Sequence, residues 1–174
     1  KQLVESATMV KKVRSAVNAK VDKNFVVIAR TDARADEGLP KAIERARAYV
    51  DAGADMIFPE ALQSEIEFEQ FRKAVSVPLL ANMTEFGKTP LLSSAQLQNL
   101  GFNLVIYPVT TLRLAMKAVE DGLREIEKTG SQQKIVDKMQ TRTRLYELLK
   151  YEAYNEFDRS IYNFSLTNSD KDQN

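Results

Sequence analysis

Cysteine, histidine and tryptophan are all absent from the 174 residues. Without cysteine there is no disulfide framework, no thiolate nucleophile and no thiolate metal site. Without histidine there is no imidazole base at neutral pH, and no Ser-His or Cys-His couple. A glycine-rich phosphate loop is also missing: Gly38, Gly53, Gly87, Gly101, Gly122 and Gly130 are scattered and form neither GxGxxG nor GxxxxGK. No apolar run approaches the roughly 20 residues a membrane span needs. Nor is there an excess of one charge. Lys+Arg is 25 and Asp+Glu is 24, a formal net charge of +1, so the bulk electrostatic footprint of a nucleic-acid binder is lacking. The opening Lys1-Gln2-Leu3-Val4-Glu5 has no initiator Met and no signal-peptide character, and the chain is expected to start inside a longer sequence.

What is present is ordinary globular material: 44% hydrophobic and 28% charged residues. The length suits one domain. Any chemistry must come from carboxylates, Lys, Arg, Tyr, hydroxyls or a bound metal.

Hydrophobic periodicity predicts a helix over Thr8–Val21, with Val10, Val13 and Val17 on one face. Phe25–Ala29 is a continuous apolar, β-branched run, which predicts a strand buried on both faces, as in a parallel sheet. It ends in polar Arg30-Thr31-Asp32. A helix follows over Pro40–Ala52, stopped by Gly53. The same unit then recurs. Asp55–Phe58 is a strand ending at Pro59-Glu60, and Glu65–Ala74 is a helix. Pro78–Ala81 is a strand ending at Asn82-Met83-Thr84-Glu85, and Ser94–Leu100 is a helix capped by Ser93 or Ser94. Leu104–Ile106 is a strand ending at Tyr107-Pro108, and Thr111–Lys128 is a long helix. Beyond Gly130 the alternation stops. Gln132–Met139 and Thr143–Asn155 read as helices, the latter rich in Tyr146, Leu149, Tyr151, Tyr154 and Phe157. The expected organisation is therefore βα units over 1–130, a helical extension over 131–160 and a flexible tail over 161–174.

Alternating units of this size make a parallel sheet with helices outside. Four units fall short of the eight in a (β/α)₈ barrel and fit a doubly wound sheet poorly. The expected fold is α/β, the C-terminal half of a TIM-type barrel followed by extra helices.

In such folds ligands sit at the carboxyl ends of the strands. Arg30 can fork onto a carboxylate, Asn82 and Thr84 can orient carboxylate oxygens, and Glu60 can hold a substrate hydroxyl. Together they describe a pocket for a small anion, a di- or tricarboxylate or a phosphate. Each residue also has a plain structural use. Arg30 and Asp32 can pair with each other, Asn82 and Thr84 can serve turns, and Arg113 and Arg142 can be surface cations. A four-stranded module that binds a small carboxylate without turning it over, and a purely structural assembly role, remain open on these residues alone.

The ordered set Ala29-Arg30-Thr31-Asp32-Ala33, Phe58-Pro59-Glu60-Ala61, Ala81-Asn82-Met83-Thr84-Glu85-Phe86-Gly87 with Thr89-Pro90, Tyr107-Pro108, Arg113 and Met139-Gln140-Thr141-Arg142 resembles the methylisocitrate lyases of the isocitrate lyase / phosphoenolpyruvate mutase superfamily. The resemblance runs to about residue 157. It implies a (β/α)₈ barrel, Mg2+ dependence, a cytoplasmic homotetramer with an exchanged C-terminal helix, and cleavage of 2-methylisocitrate to pyruvate and succinate in propionate catabolism. A related lyase, mutase or decarboxylase acting on a 2-oxo acid is the alternative within the superfamily. The resemblance also implies that Arg30, Asn82, Met83, Thr84, Arg113 and Arg142 surround the substrate carboxylates, with Glu60 catalytic and substrate-contacting. The family's cysteine loop, its magnesium-binding aspartates and its Ser-Gly-Gly substrate loop have no counterpart here. Metal ligands are therefore expected upstream of this chain, and the 174 residues alone are expected to be inactive.

Overall fold

The computed structural model describes residues 2–162, and by contacts the chain divides into two units, 1–117 and 118–174. The first unit opens with helix α1 (Ser6–Asn18) and then alternates: β1 (Ile28–Thr31), α2 (Ala33–Glu37), α3 (Leu39–Asp51), β2 (Met56–Pro59), α4 (Glu65–Ala74), β3 (Leu80–Asn82), α5 (Ser94–Asn99) and β4 (Leu104–Ile106). Helix α6 (Thr110–Thr129) begins in this unit and ends in the second.

Every strand pairing is parallel. β1 pairs with β2 in the register Ile28↔Met56 to Thr31↔Pro59, and β3 pairs with β4 in the register Leu80↔Leu104 to Asn82↔Ile106. The bridge Ile57↔Leu79 and the bond from the Ile57 N–H to the Pro78 carbonyl (3.1 Å) join the two pairs. The spatial order is thus the chain order, with no reversal of direction. A doubly wound sheet needs such a reversal at its switch point; this unit has none.

One sheet face is packed. Ala29, Ile57, Leu79 and Ala81 are at most 2% exposed and join Ala42, Ala46 and Tyr49 of α3 and Phe68 and Phe71 of α4 in a single core. Phe68 and Phe102 add a tilted ring contact at 4.9 Å. The other face differs from the sequence expectation. Burial alternates along β1, so Ile28 and Arg30 point away from the helices, and Ile28 is 40% exposed. For β1 the expected burial on both faces is corrected to one, whereas Leu80 and Ala81 of β3, and Leu79 just before them, are all buried.

The β1 boundary also shifts, to Ile28–Thr31 instead of Phe25–Ala29. The cause is distant in sequence. The Asp55 carboxylate accepts the Val27 N–H (2.7 Å) and pairs with Lys20, while the Val27 carbonyl accepts from the Asp55 N–H (3.0 Å). These bonds fix the chain ahead of the ladder and leave Phe25 and Val26 exposed. Arg30 consequently lies within the strand, not beyond it.

Helix ends follow local chemistry. Ser93 caps α5 in a reciprocal capping box with Gln96, and Ser64 accepts the Glu67 N–H at α4. Gly101, at φ +79, sits where a Cβ would fall 2.8 Å from the Arg72 side chain, whose guanidinium bonds the Val75 and Val77 carbonyls. Glycine is required there by both space and backbone conformation.

Helix α2, one turn too short for periodicity to reveal, carries Arg34, which forks onto Glu67 of α4; its Nε lies 2.9 Å from Oε2. The Arg34 hydrogen bond, opposed by burial and aided by the Gln63 N–H (2.8 Å), holds the Glu67 carboxyl below its ordinary range. A carboxyl depressed on folding stabilises the fold above its unfolded pKa, and that contribution is lost as pH falls through the folded value. Urea midpoints of the wild type should therefore drop more steeply below pH 5 than those of Glu67→Gln, in roughly the acid range where an unfolded carboxyl titrates. Parallel midpoint curves for the two proteins would contradict this.

The second unit holds a 3₁₀ turn, Gln133–Lys138, where a helix over Gln132–Met139 was expected, then α7 (Arg142–Leu149) and α8 (Tyr151–Tyr162). The single helix expected over Thr143–Asn155 is two, because Lys150 adopts a left-handed conformation at φ 51. Tyr146 and Tyr151 stack across that break at 4.5 Å. The tail expected over 161–174 lies outside the described residues except for Ile161 and Tyr162, which close α8. No described helix is long and apolar enough to cross a membrane.

Candidate active site

Three strand ends bring together a compact polar group. Arg30 is the third residue of β1. The parallel ladder continues one step past β2, through the Glu60 N–H to the Thr31 carbonyl (3.0 Å), and so sets Glu60 beside Arg30. Arg30 Nη2 lies 3.0 Å from Glu60 Oε2, and Asn82 at the end of β3 donates its Nδ2 to the same oxygen at 3.2 Å. Glu60 Oε2 is the point where β1, β2 and β3 converge.

Arg30 is held on two further sides. Its Nε and Nη2 fork onto Asp32 at 2.9 and 2.8 Å, and its guanidinium lies 4.8 Å from the Phe58 ring centre, its register partner on β2. The bond to Asp32, against the opposing effect of burial and with the nearby Glu60 charge, strengthens its hold on the proton. Its side chain still keeps 39% of its surface exposed, against 18% for Glu60. The Asn82 side-chain amide oxygen, Oδ1, is buried without a hydrogen-bond partner among the described residues. A buried amide oxygen carries a desolvation cost unless a hydrogen-bond donor meets it.

The remaining expected residues fall differently. Thr84 is half-buried on the loop leaving β3. Arg113 lies one turn into α6, where its Nη1 bonds the Glu85 carbonyl at 2.9 Å and the Glu85 carboxylate. Met83 is turned away from this polar group: it is 2% exposed, belongs to the core, and its sulfur accepts the Leu92 N–H at 3.3 Å. Arg142 is the exposed first residue of α7 in the second unit, behind a Thr141 cap, and is not among the residues gathered in the first.

Two contacts were not foreseen from sequence. Phe58 under Arg30 is signalled only by the register. The Glu85 carboxylate accepts from both the Thr110 hydroxyl and Arg113, residues 25 and 28 positions away.

A profile of the phosphoenolpyruvate phosphomutase family matches residues 1–127. The chain belongs to that family. Among its relatives, a probable 2-methylisocitrate lyase of Corynebacterium glutamicum is 56% identical over 165 residues, which cover 95% of this chain and 54% of that protein. The chain spans about half the length of the curated relatives it matches. Its α/β fold is that of solved family structures. Oxaloacetate acetylhydrolase in complex with its product oxalate superposes with a TM-score of 0.84 at 31% identity, over 92% of this chain and 56% of that one. A phosphonopyruvate hydrolase complexed with oxalate and Mg++ gives 0.77 at 30% identity, over 88% of this chain and 55% of that one. Both of those structures hold oxalate.

Proposed function

We propose that this chain is the C-terminal, substrate-holding part of a methylisocitrate lyase, a carbon–carbon lyase that cleaves 2-methylisocitrate to pyruvate and succinate. The observation that carries the reading is the convergence of Arg30, Glu60 and Asn82 at successive strand ends. The identity to named 2-methylisocitrate lyases supports the choice of substrate. In this reading residues 1–130 are half of a (β/α)₈ barrel. The uncovered face carrying Ile28 and Arg30 is then the barrel interior, closed by the other half. Residues 131–160 form a helical extension.

The exposed apolar stripe Leu112, Met116, Val119, Leu123 of α6 and the exposed Tyr154 and Phe157 of α8 suit burial in a cytoplasmic homo-oligomer, which the resemblance makes a tetramer.

The residues divide the work by chemistry. Arg30 and Arg113 take the substrate carboxylates, each through its planar fork. Asn82 and Thr84 orient carboxylate oxygens. Glu60 receives the hydroxyl proton of 2-methylisocitrate as the carbon–carbon bond breaks in a retro-aldol sense. The electron pair passes to the succinate half, which is reprotonated by a group outside this chain. The preorganised cations counter the charge that develops, usually the largest single catalytic effect.

Mg2+ is proposed as the cofactor, held by carboxylates outside this chain. The carboxylates at hand, Asp32 and Glu60, are both engaged by Arg30, and among the described residues no three His, Cys, Asp or Glu side chains come together.

The test is kcat/KM of the complete protein with 2-methylisocitrate, isocitrate, oxaloacetate and phosphonopyruvate. The highest value is expected for 2-methylisocitrate. A clear preference for any of the other three would replace the assignment with a different reaction in the same family.

A further inference from the structure

The loop from β3 to α5, residues 83–92, is tied at three points. The Met83 N–H bonds the Ile106 carbonyl at 2.9 Å, and the Met83 sulfur accepts the Leu92 N–H at 3.3 Å, so both ends of the loop meet at one buried side chain. The third tie is in the middle. The Glu85 carboxylate accepts from the Thr110 hydroxyl and from Arg113, and the Glu85 carbonyl accepts from Arg113 Nη1 at 2.9 Å. Thr110 and Arg113 are three residues apart on α6 and share a face. Phe86, the next residue in the loop, takes a left-handed φ of 62 and brings its 94%-exposed ring 5.1 Å from the Arg113 guanidinium.

We propose that Glu85 is a positioning residue: it fixes the orientation of the Arg113 guanidinium and, through the loop, the place of Thr84, so that both meet the substrate carboxylate together. This rests on the reading of Arg113 and Thr84 as substrate-holding residues given above. The argument is one of geometry and cost. A free arginine side chain loses rotamer freedom when it binds a ligand, and one already held has less to lose. Glu85 holds Nη1, Phe86 holds the guanidinium face, and the side chain still keeps 40% of its surface exposed. An accessible part of a preoriented fork is thus left for an anion. Thr110 supplies the main reason that the Glu85 carboxyl sits below its ordinary range, ahead of Arg113. The acceptor is therefore anchored to the helix by a group other than the arginine it positions.

The test is a cycle of four complete proteins: wild type, Glu85→Gln, Arg113→Met and the double variant. Each is measured for KM and kcat on its best substrate and for its thermal midpoint. Glu85→Gln keeps an acceptor for Thr110 and loses the charge that holds Arg113. A rise in KM of roughly 2- to 150-fold is expected, the range of couplings between contacting residues, with kcat falling less. In the Arg113→Met background Glu85→Gln should have little further effect. A purely structural Glu85 would lower the thermal midpoint and the active fraction while leaving KM unchanged, or would act equally in both backgrounds; either result overturns the proposal. If 2-methylisocitrate is not turned over, the function assignment fails separately. The same cycle read by calorimetric oxalate binding then decides the role of Glu85, with unchanged affinity in Glu85→Gln as the refuting outcome.

Discussion

Replacing Arg30 by Lys in the complete protein should preserve the fold and lower kcat/KM by an amount worth about 2–4 kcal/mol, the scale for losing one preorganised charge-stabilising donor. The position explains why a cation alone is insufficient. Arg30 contacts Asp32 through Nε and Nη2, Glu60 through Nη2, and Phe58 through its planar face. A lysine ammonium has a single nitrogen and no planar face. It cannot reproduce the paired Nε and Nη2 bonds to Asp32 or the contact of a planar face with Phe58, so the geometry offered to a substrate carboxylate is lost along with the fork. Lys134, exposed in the 3₁₀ turn of the second unit, is the control, and Lys134→Ala should be near neutral. Steady-state kinetics alongside thermal melts make the comparison. Wild-type kinetics in Arg30→Lys, or equal damage from both substitutions, would make Arg30 a structural residue.

The largest expected loss belongs to Glu60→Gln. General acid–base groups contribute roughly 10²- to 10⁴-fold, and a reduction of that order in kcat is expected with little change in stability. The amide is nearly the same shape and can keep an oxygen where Oε2 now accepts from Asn82 (3.2 Å) and faces Arg30 (3.0 Å). What it cannot do is take up a proton. Glu60→Asp separates charge from reach: it retains the carboxylate but withdraws it by one methylene from Asn82, and should recover part of the activity. A Glu60→Gln protein with kcat close to wild type would remove Glu60 from the chemistry. One whose melting collapses would show instead that the Arg30–Glu60–Asn82 junction is needed mainly to hold the strands.

The strand-end residues were readable in the sequence because each apolar run stops abruptly in polar side chains, and parallel topology gives those stops a common address. β4 and α4 have the limits that periodicity predicts. Other features depended on contacts that no local pattern encodes. The start of β1 is set by Asp55, 28 residues beyond Val27. Met83 stands in a polar stretch that reads as substrate-contacting, yet its side chain fills the core with Ala81, two residues back, and Leu92. The division between α7 and α8 lies at Lys150, a residue type that does not announce a left-handed backbone. The pairing of Arg113 with Glu85 crosses from one βα unit to the next and was legible only as two separate charges.

The strict agreement of spatial and chain order has a consequence for how this chain comes into being. β1 meets β2, β2 meets β3 and β3 meets β4, with partners such as Ile28 and Met56 or Leu80 and Leu104 separated by little more than one helix and its turns. The entropy of closing each such loop grows only with the logarithm of its length, so every strand is recruited at nearly the same cost. Within this segment, a chain emerging from the ribosome can therefore lay down its sheet by accretion, each βα layer templating the next.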